Sequence, residues 1–412
     1  MQKKIIALAV AGLVSGAAFA QTNVTIYGAA DVTFDNVKAG GASALTVSGF
    51  GTGVEDTART FPNVNQPGRN RVSANSSILG FRGTEDLGGG LKALFQFEGS
   101  VANDAGGPLN FVRDSFVGIE GGFGRISAGV QSGPTRSLGA TMDPFLGSTG
   151  ITSNSALLGK MGGFTGLNAN PYYTLPANTT ANDNTVANFT AMMAAAGYCS
   201  TVGATCASAF DTRFANSVAY TSPNFGGLTA SAVYVAGENK SRGEVVNKVN
   251  GKGYDLGLRY ANGPILAGLT YNKLKLGDNF STVLADTRLA ARYNFGMATV
   301  GLMWDRVKWS ETGGSEKRTA WFIPVTFNVT PAGKIVAQYG KAGDISSTSD
   351  TGATMFALGY EHSLSKRTVV KAVWSQISND KAAFYDFGVN SVGGIMPGAD
   401  PKGFQVGVRH SF

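Results

Sequence analysis

The residues best equipped to act on something else are arginines. Arg82, Arg125, Arg213 and Arg288 lie in stretches where large apolar residues alternate with small or polar ones, and each falls on the small or polar side. Arg113 has a less decided place, because the alternation that turns it to that side turns Asp114 to the other. A guanidinium is permanently charged and presents five donors in a planar fork, so several on one face make a field that attracts anions. Lys92, Arg259, Arg292 and Arg409 fall on the same side, against Asp31, Glu98, Asp255 and Asp305, and that side is basic.

Bond-making chemistry has poorer material. Of two histidines, His410 sits on the apolar side of the last stretch and His362 beside a tight turn, so no nucleophile and base are brought together. "LGKM" at 158–161 lacks the upstream glycine and the Ser or Thr of a phosphate loop, and "GFGTGVED" neither follows a confident strand nor opens a helix. The acid pairs Glu55 with Asp56 and Glu85 with Asp86 read as loop and turn residues. Cys199 and Cys206 have no histidine near them in sequence, so a small disulfide loop is expected rather than a metal site. No metal and no cofactor is expected.

The elements that must position the arginines are strands. With 57 glycines, 25 phenylalanines, 13 tyrosines, 15% charged residues and a mean hydropathy of +0.01, the chain is unlike an ordinary soluble enzyme. In "YDLGLRY", Tyr254, Leu256, Leu258 and Tyr260 share one face, while Asp255, Gly257 and Arg259 share the other. The pattern repeats from "NVTIYGAADVTF" to "GFQVGVRHSF". Tight Gly- or Pro-rich joins at 85–90, 120–124, 222–227, 262–264, 294–297, 330–334 and 364–367 alternate with longer polar ones. The longer joins are read at 37–68, 100–109, 133–211, 238–252, 276–285, 309–317, 343–351 and 379–402. Together they connect about sixteen strands running up and down, with the long loops at one end.

The leader "MQKKIIALAVAGLVSGAAFA" has two lysines, a short apolar run and a small-x-small ending at Ala18 to Ala20, so residues 1–20 are expected to be a cleaved export signal and 21–412 one domain. The formal charge of +7 falls by two, to +5, without Lys3 and Lys4. No Lys/Arg cluster of the kind that tracks phosphates is present, which argues against nucleic acid.

A two-faced strand fits a soluble sandwich or an inside-out barrel. Two features favour the barrel. Tyr234, Tyr254, Tyr260, Tyr271, Tyr293, Trp304, Tyr339 and Tyr360 recur at the ends of the apolar faces, where an interfacial belt lies. The final strand, ending on Phe412, has the pattern needed to pair with the first, since an open edge in hydrocarbon leaves backbone groups unsatisfied. The expected fold is therefore all-β, a 16-stranded antiparallel transmembrane β-barrel. So wide a cylinder needs an inward-folded constriction loop to narrow it. "SGPTRSLGATMDPF" at 132–145 follows the fifth strand and is assigned that part, with Arg136 and Asp143 facing the wall arginines across the opening.

"VTIYGAADV", "GFRGTEDLGGGLKALFQFE" at 80–98, "DSFVGIEGGFGRISAGVQ" at 114–131, "NSVAYTSPNFGG" at 216–227 and the closing "VGVRHSF" together resemble the trimeric general porins of beta-proteobacterial outer membranes, from end to end of the chain. The resemblance implies a water-filled channel in the outer membrane, a homotrimer among outer-membrane lipids, small hydrophilic solutes as cargo, and a terminal Phe412 strand read by the barrel-assembly machinery. It places Arg113 and Arg213 near the constriction. Two departures stand out: Ile78 occupies a position where the family commonly has a pore-facing arginine, and segment 133–211 is unusually long. The functional expectation is passive, moderately anion-preferring diffusion without catalysis. A substrate-selective channel or a structural or adhesive surface barrel is the alternative.

Overall fold

The computed structural model describes residues 23–47, 59–61, 63–147, 150–161, 210–237, 252–275, 283–311 and 314–412. Strand β1 (Asn23–Gly40) is followed by β2, which runs in two segments, Gln66–Ala74 and Ile78–Gly88. Next come β3 (Leu91–Ser100), β4 (Ser115–Gly121), β5 (Gly124–Ser132) and helix α1 (Pro134–Met142). The chain continues through β6 (Arg213–Thr221), β7 (Leu228–Val235), β8 (Lys252–Asn262), β9 (Ile265–Lys275) and β10 (Val283–Asn294). It ends with β11 (Ala298–Glu311), β12 (Gly314–Asn328), β13 (Gly333–Ala342), β14 (Ala353–Ser363), β15 (Thr368–Asn379) and β16 (Asp400–Ser411). A short pair, Leu45–Val47 with Arg59–Phe61, lies in the connection between β1 and β2.

Each strand pairs antiparallel with the next, and both segments of β2 lie against β1, which makes sixteen strands in all. The cylinder closes between β1 and β16, from Ala29 opposite Ser411 to Gly40 opposite Asp400. Gly28 and Phe412 finish the seam by exchanging backbone hydrogen bonds, 3.1 Å each way. No edge is left in the sheet, which is what a strand-built wall in hydrocarbon requires.

The wall is inside out. Along β1, Phe34 is 52% exposed on the outer face while its neighbours Thr33 and Asp35 are buried inward, and Leu302 on β11 is 56% exposed beside buried Asp305. Water cannot drive such an arrangement, since apolar side chains are turned to the medium and carboxylates to the interior. A hydrocarbon medium does.

All seven tight joins lie where the sequence puts them, and four long joins differ from expectation. The join read at 100–109 runs on to 114, since β4 begins at Ser115. Strand β2 begins at Gln66 rather than beyond a loop reaching 68. It breaks at 75–77, where Ser76 has φ 44. Ser77 Oγ accepts from Asp31 N (2.9 Å) and donates to Asp31 O (3.0 Å), so a side chain replaces ladder bonds across the break. The expected loop at 309–317 is a continuous ladder, with Trp309 opposite Glu316 and Glu311 opposite Gly314. Its polar residues mark strands that have risen out of the membrane, not a connection. The segment 380–399 turns into the barrel, burying Tyr385, Phe387, Val392 and Ile395.

That inward turn changes the interior. The luminal face was expected to be small and polar throughout, yet Met303, Phe322, Val336, Met355, Val373 and Ile377 on β11–β15 are apolar, inward and buried. They pack under Leu138, Met142, Phe145, Leu157 and Leu158 of 133–161 and under Tyr385 and Phe387 of 380–399. This stretch of wall is dry because two segments cover it, so its luminal side chains behave as a core.

Candidate pore constriction

Helix α1 is held against the wall at both ends and along one face. Pro134 sits in its first turn, where a missing N–H costs nothing. The carboxylate of Asp255 on β8 accepts from Thr135 N (3.0 Å) and Thr135 Oγ1 (2.6 Å), capping the positive end of the helix from another element. At the other end Arg292 Nη1 donates to Thr141 O (2.8 Å). Pro134, Leu138 and Met142 recur every four residues on one side, and wall glycines meet them. A Cβ on Gly257 would collide with Pro134, one on Gly268 would lie 2.6 Å from Leu138 Cδ1, and one on Gly301 2.8 Å from Met142 Cε. Three strands thus present a groove of backbone in which the helix lies.

The opposite side of α1 faces a cavity of ≈ 880 Å³, lined by Arg136, Ser137 and Ala140 from the helix segment and by Phe111, Val112, Arg113, Asp114, Ser132 and Arg213 from the wall opposite, among others. Arg113 Nε donates to Glu98 Oε1 (2.5 Å), and Glu98 Oε2 also accepts from Tyr27 Oη (3.0 Å). Arg213 Nε donates to Asp114 Oδ1 (3.1 Å), with Glu98 a further 4.0 Å contact. Asp114, whose place the alternation left undecided, faces inward and also accepts from Ser132 N and Oγ. Arg136 makes no hydrogen bond or ion pair among the described residues. Burial, then the neighbouring charge of Arg213, lowers its pKa to about 10, which still leaves it charged at neutral pH. Asp211 also lines this cavity, but its two oxygens are taken by Arg288; of the described residues, that leaves Glu98 and Asp114 as the carboxylates paired with Arg113 and Arg213, and none paired with Arg136.

Arg288 stands in a different setting. Its guanidinium meets Asp211 through two parallel bonds (2.8 and 2.9 Å), Asp305 (2.8 Å), Asp286 (3.1 Å) and Thr135 O (3.1 Å), and it is wholly buried. Arg318 on β12 extends the network to Asp305 (3.0 Å), Leu157 O (2.7 Å) and Lys160 O. The expected water-facing position of Arg288 is corrected by this geometry, because α1 and residues 150–161 lie over it. Asp143 is likewise turned away from the wall arginines: it accepts from Phe145 N (3.0 Å) and Asn154 N (2.9 Å), fastening the chain after α1.

Arg82 and Arg125 are placed together elsewhere, at the short-turn end, around a cavity of ≈ 280 Å³ shared with Lys92 and Glu120. Arg125 pairs with Glu120 (2.6 Å), and Arg82 lies over the Tyr27 ring, 5.0 Å from its centroid. Cys199 and Cys206 lie outside the described residues, as does the leader 1–20. Sequence reasoning missed Arg318, Lys160 and the inward 380–399. For Arg318 a signal existed: in "RTAWFIP" it shares a face with Ala320 and Phe322, and a phenylalanine on a supposedly wet face points to a cover.

The family description of a Gram-negative porin matches residues 7–382. Outer membrane porin protein 32 of Delftia acidovorans is 32% identical over the full length of both chains, and a major outer membrane protein P.IB of Neisseria meningitidis serogroup B is 26% identical, also over both full lengths. Among solved structures, an anion-selective porin from Comamonas acidovorans superposes with a TM-score of 0.68 at 27% identity, covering 95% of this chain and 100% of its own. With its closed inside-out cylinder and its arginine-lined cavity, this chain belongs to the Gram-negative porins and forms an outer-membrane channel.

Proposed function

We propose that the channel passes ions and small hydrophilic solutes by passive diffusion with a moderate preference for anions, and that Arg113, Arg136 and Arg213 form its constriction. The observation that carries this is Arg136, which has no hydrogen-bond or ion-pair partner among the described residues and lines one cavity with Arg113 and Arg213. One uncompensated charge about 10 Å from a permeating ion is worth roughly 0.4 kcal/mol in water-like surroundings, rising to about 1 to 2 kcal/mol beside a low-dielectric wall. An anion is favoured severalfold and a cation is not excluded. The anion selectivity of the Comamonas porin supports the same sign. Arg82 and Arg125 act as a basic vestibule on the short-turn side, while Arg288 and Asp143 hold the constricting segment in place. The test is a planar-bilayer recording in a potassium chloride gradient: an anion-signed reversal potential supports the reading, and a cation-signed one rejects it.

The working form is proposed to be a homotrimer of mature chains beginning at Gln21, inserted by the barrel-assembly machinery through the Phe412 strand. The intact seam supports this reading of Phe412, whose ring is 49% exposed on the outside. A trimer band that survives detergent at room temperature and disappears on boiling tests the assembly. Deleting Phe412 tests its role by the loss of folded protein from the outer membrane.

A further inference from the structure

At the short-turn end of the channel the luminal wall carries two apolar side chains that do not belong to the covered core. Leu94 on β3 and Phe116 on β4 point inward, since alternation places them opposite to the exposed, outward Phe97, Val117 and Ile119 of the same strands. On β11–β15 the inward apolar residues lie beneath the segments folded over them and form one packed cluster. Leu94 and Phe116 stand outside that cluster. Phe116 lies opposite Gly129 and Leu94 opposite Gly118, so these facing positions on the adjoining strands carry no side chain. The ring of Phe116 is partly exposed to the lumen.

Both residues line the cavity of ≈ 280 Å³ that holds Arg82, Lys92 and Arg125. One carboxylate, Glu120, lines it too, and Arg125 holds that group at 2.6 Å. Asp86, opposite Lys92 in the β2–β3 ladder, accepts from Gly88 N within its own turn (2.9 Å). Arg82 and Lys92 make no ion pair among the described residues. Arg82 lies over the Tyr27 ring, 5.0 Å from its centroid, so a π face steers it without neutralising it. The cavity therefore combines an apolar floor with two positive charges left over.

We propose that this cavity is a binding site for small aromatic monocarboxylates, an inference that rests on the reading of the chain as an anion-preferring channel. The ring of the solute lies on Phe116 and Leu94, and its carboxylate turns to Arg82 and Lys92. An apolar cavity of about 150 Å³ takes benzene, so the space here holds one ring with a short acid group. An inorganic anion or acetate uses only the cations, and a neutral aromatic only the floor. An aromatic acid uses both. The fold leaves Phe116 facing water, and a bound ring removes that apolar surface from it, which is favourable.

The test is block of the potassium chloride current through the full-length folded protein in planar bilayers, with benzoate, acetate or benzyl alcohol added to both sides. Covering one face of a ring contributes about tenfold. Benzoate should therefore half-block the channel at a concentration about ten times lower than acetate, and benzyl alcohol at matched concentration should not block. Phe116→Ser should bring benzoate to the level of acetate and leave acetate unmoved. A unit charge about 5 Å away in water-like surroundings is worth roughly fourfold, so Lys92→Gln should weaken both acids by about that factor. Equal half-blocking concentrations of benzoate and acetate in wild type overturn the proposal, and that comparison needs no variant to fold. Block by benzyl alcohol as strong as that by benzoate, or an unmoved benzoate value in Phe116→Ser, overturns it as well. The reversal potential in a potassium chloride gradient is read in the same membranes. An anion-signed potential without a benzoate preference overturns this site alone, whereas a cation-signed one overturns the channel reading and this site together.

Discussion

Two groups of arginines face the interior of this barrel from opposite sides of α1, and they differ in almost everything but residue type. Arg113, Arg136 and Arg213 border an open cavity with fewer carboxylates than guanidiniums. Arg288 and Arg318, with Lys160 nearby, face Asp211, Asp286 and Asp305 in a dry, charge-matched network. On the proposed reading the first group projects a field into the passage, while the second spends its field on its own partners and fixes the segment that carries Arg136. A luminal arginine selects solutes only where water reaches it and its charge is left over.

The sharpest way to break this contrast is to unbalance the buried side. Arg288→Met leaves three carboxylates facing a dry cover, and removing one member of a buried ion network typically costs about 3 to 5 kcal/mol. Thermal unfolding in detergent should shift to lower temperature, and single-channel records should become larger and noisier as α1 detaches. A variant with wild-type stability and conductance would show that the network does not hold the helix.

Lys160 offers a pH-dependent version of the same test. Burial lowers its pKa from 10.5 to about 8, with Asp386 opposing the shift. The folded state therefore binds fewer protons than the unfolded one between these values, so the burial penalty is full below about pH 8 and vanishes above about pH 10.5. Stability should rise with pH across that window by about 3 kcal/mol, and Lys160→Met should flatten the rise. Chemical denaturation at pH 7.5, 9 and 10.5 measures it. Equal slopes for the two proteins would contradict the burial of this ammonium.

A smaller perturbation tests the groove. Gly268→Val places a branched side chain where Leu138 lies, and overpacking of this kind costs about 1 to 3 kcal/mol. The expected outcome is a displaced α1 with altered conductance and an intact barrel, read by bilayer recording beside the heat-modifiable gel mobility. Unaltered conductance would mean that the helix does not depend on close contact with the wall.

Much of this architecture was legible in the alternation of side chains, because a period of two is imposed on every strand by the backbone itself. The glycine- and proline-rich turns and the closing aromatic strand were equally local signals. What alternation could not convey was wetness. It turned Arg288, Arg213 and Phe322 to the same side of the wall without saying which lay under a cover, since the cover comes from residues far away in sequence. The fate of "WSETGGSEKR" has a related cause: polar composition reports contact with water, and a strand above the membrane meets water as a loop does. The inward turn of 380–399 had a faint mark in the apolar content of "AAFYDFGVNSVGGI", but nothing local set its direction.

The smallest expected effect bears most directly on the central claim, that an uncompensated charge at Arg136 biases the passage toward anions. Reversal potentials of wild type and Arg136→Gln in the same potassium chloride gradient measure it. The wild-type potential should carry the anion sign, and the variant, having lost roughly 0.4 to 1 kcal/mol of bias, should move toward zero with its stability unchanged. A cation-signed wild type, or a variant with an unmoved potential, would contradict the account.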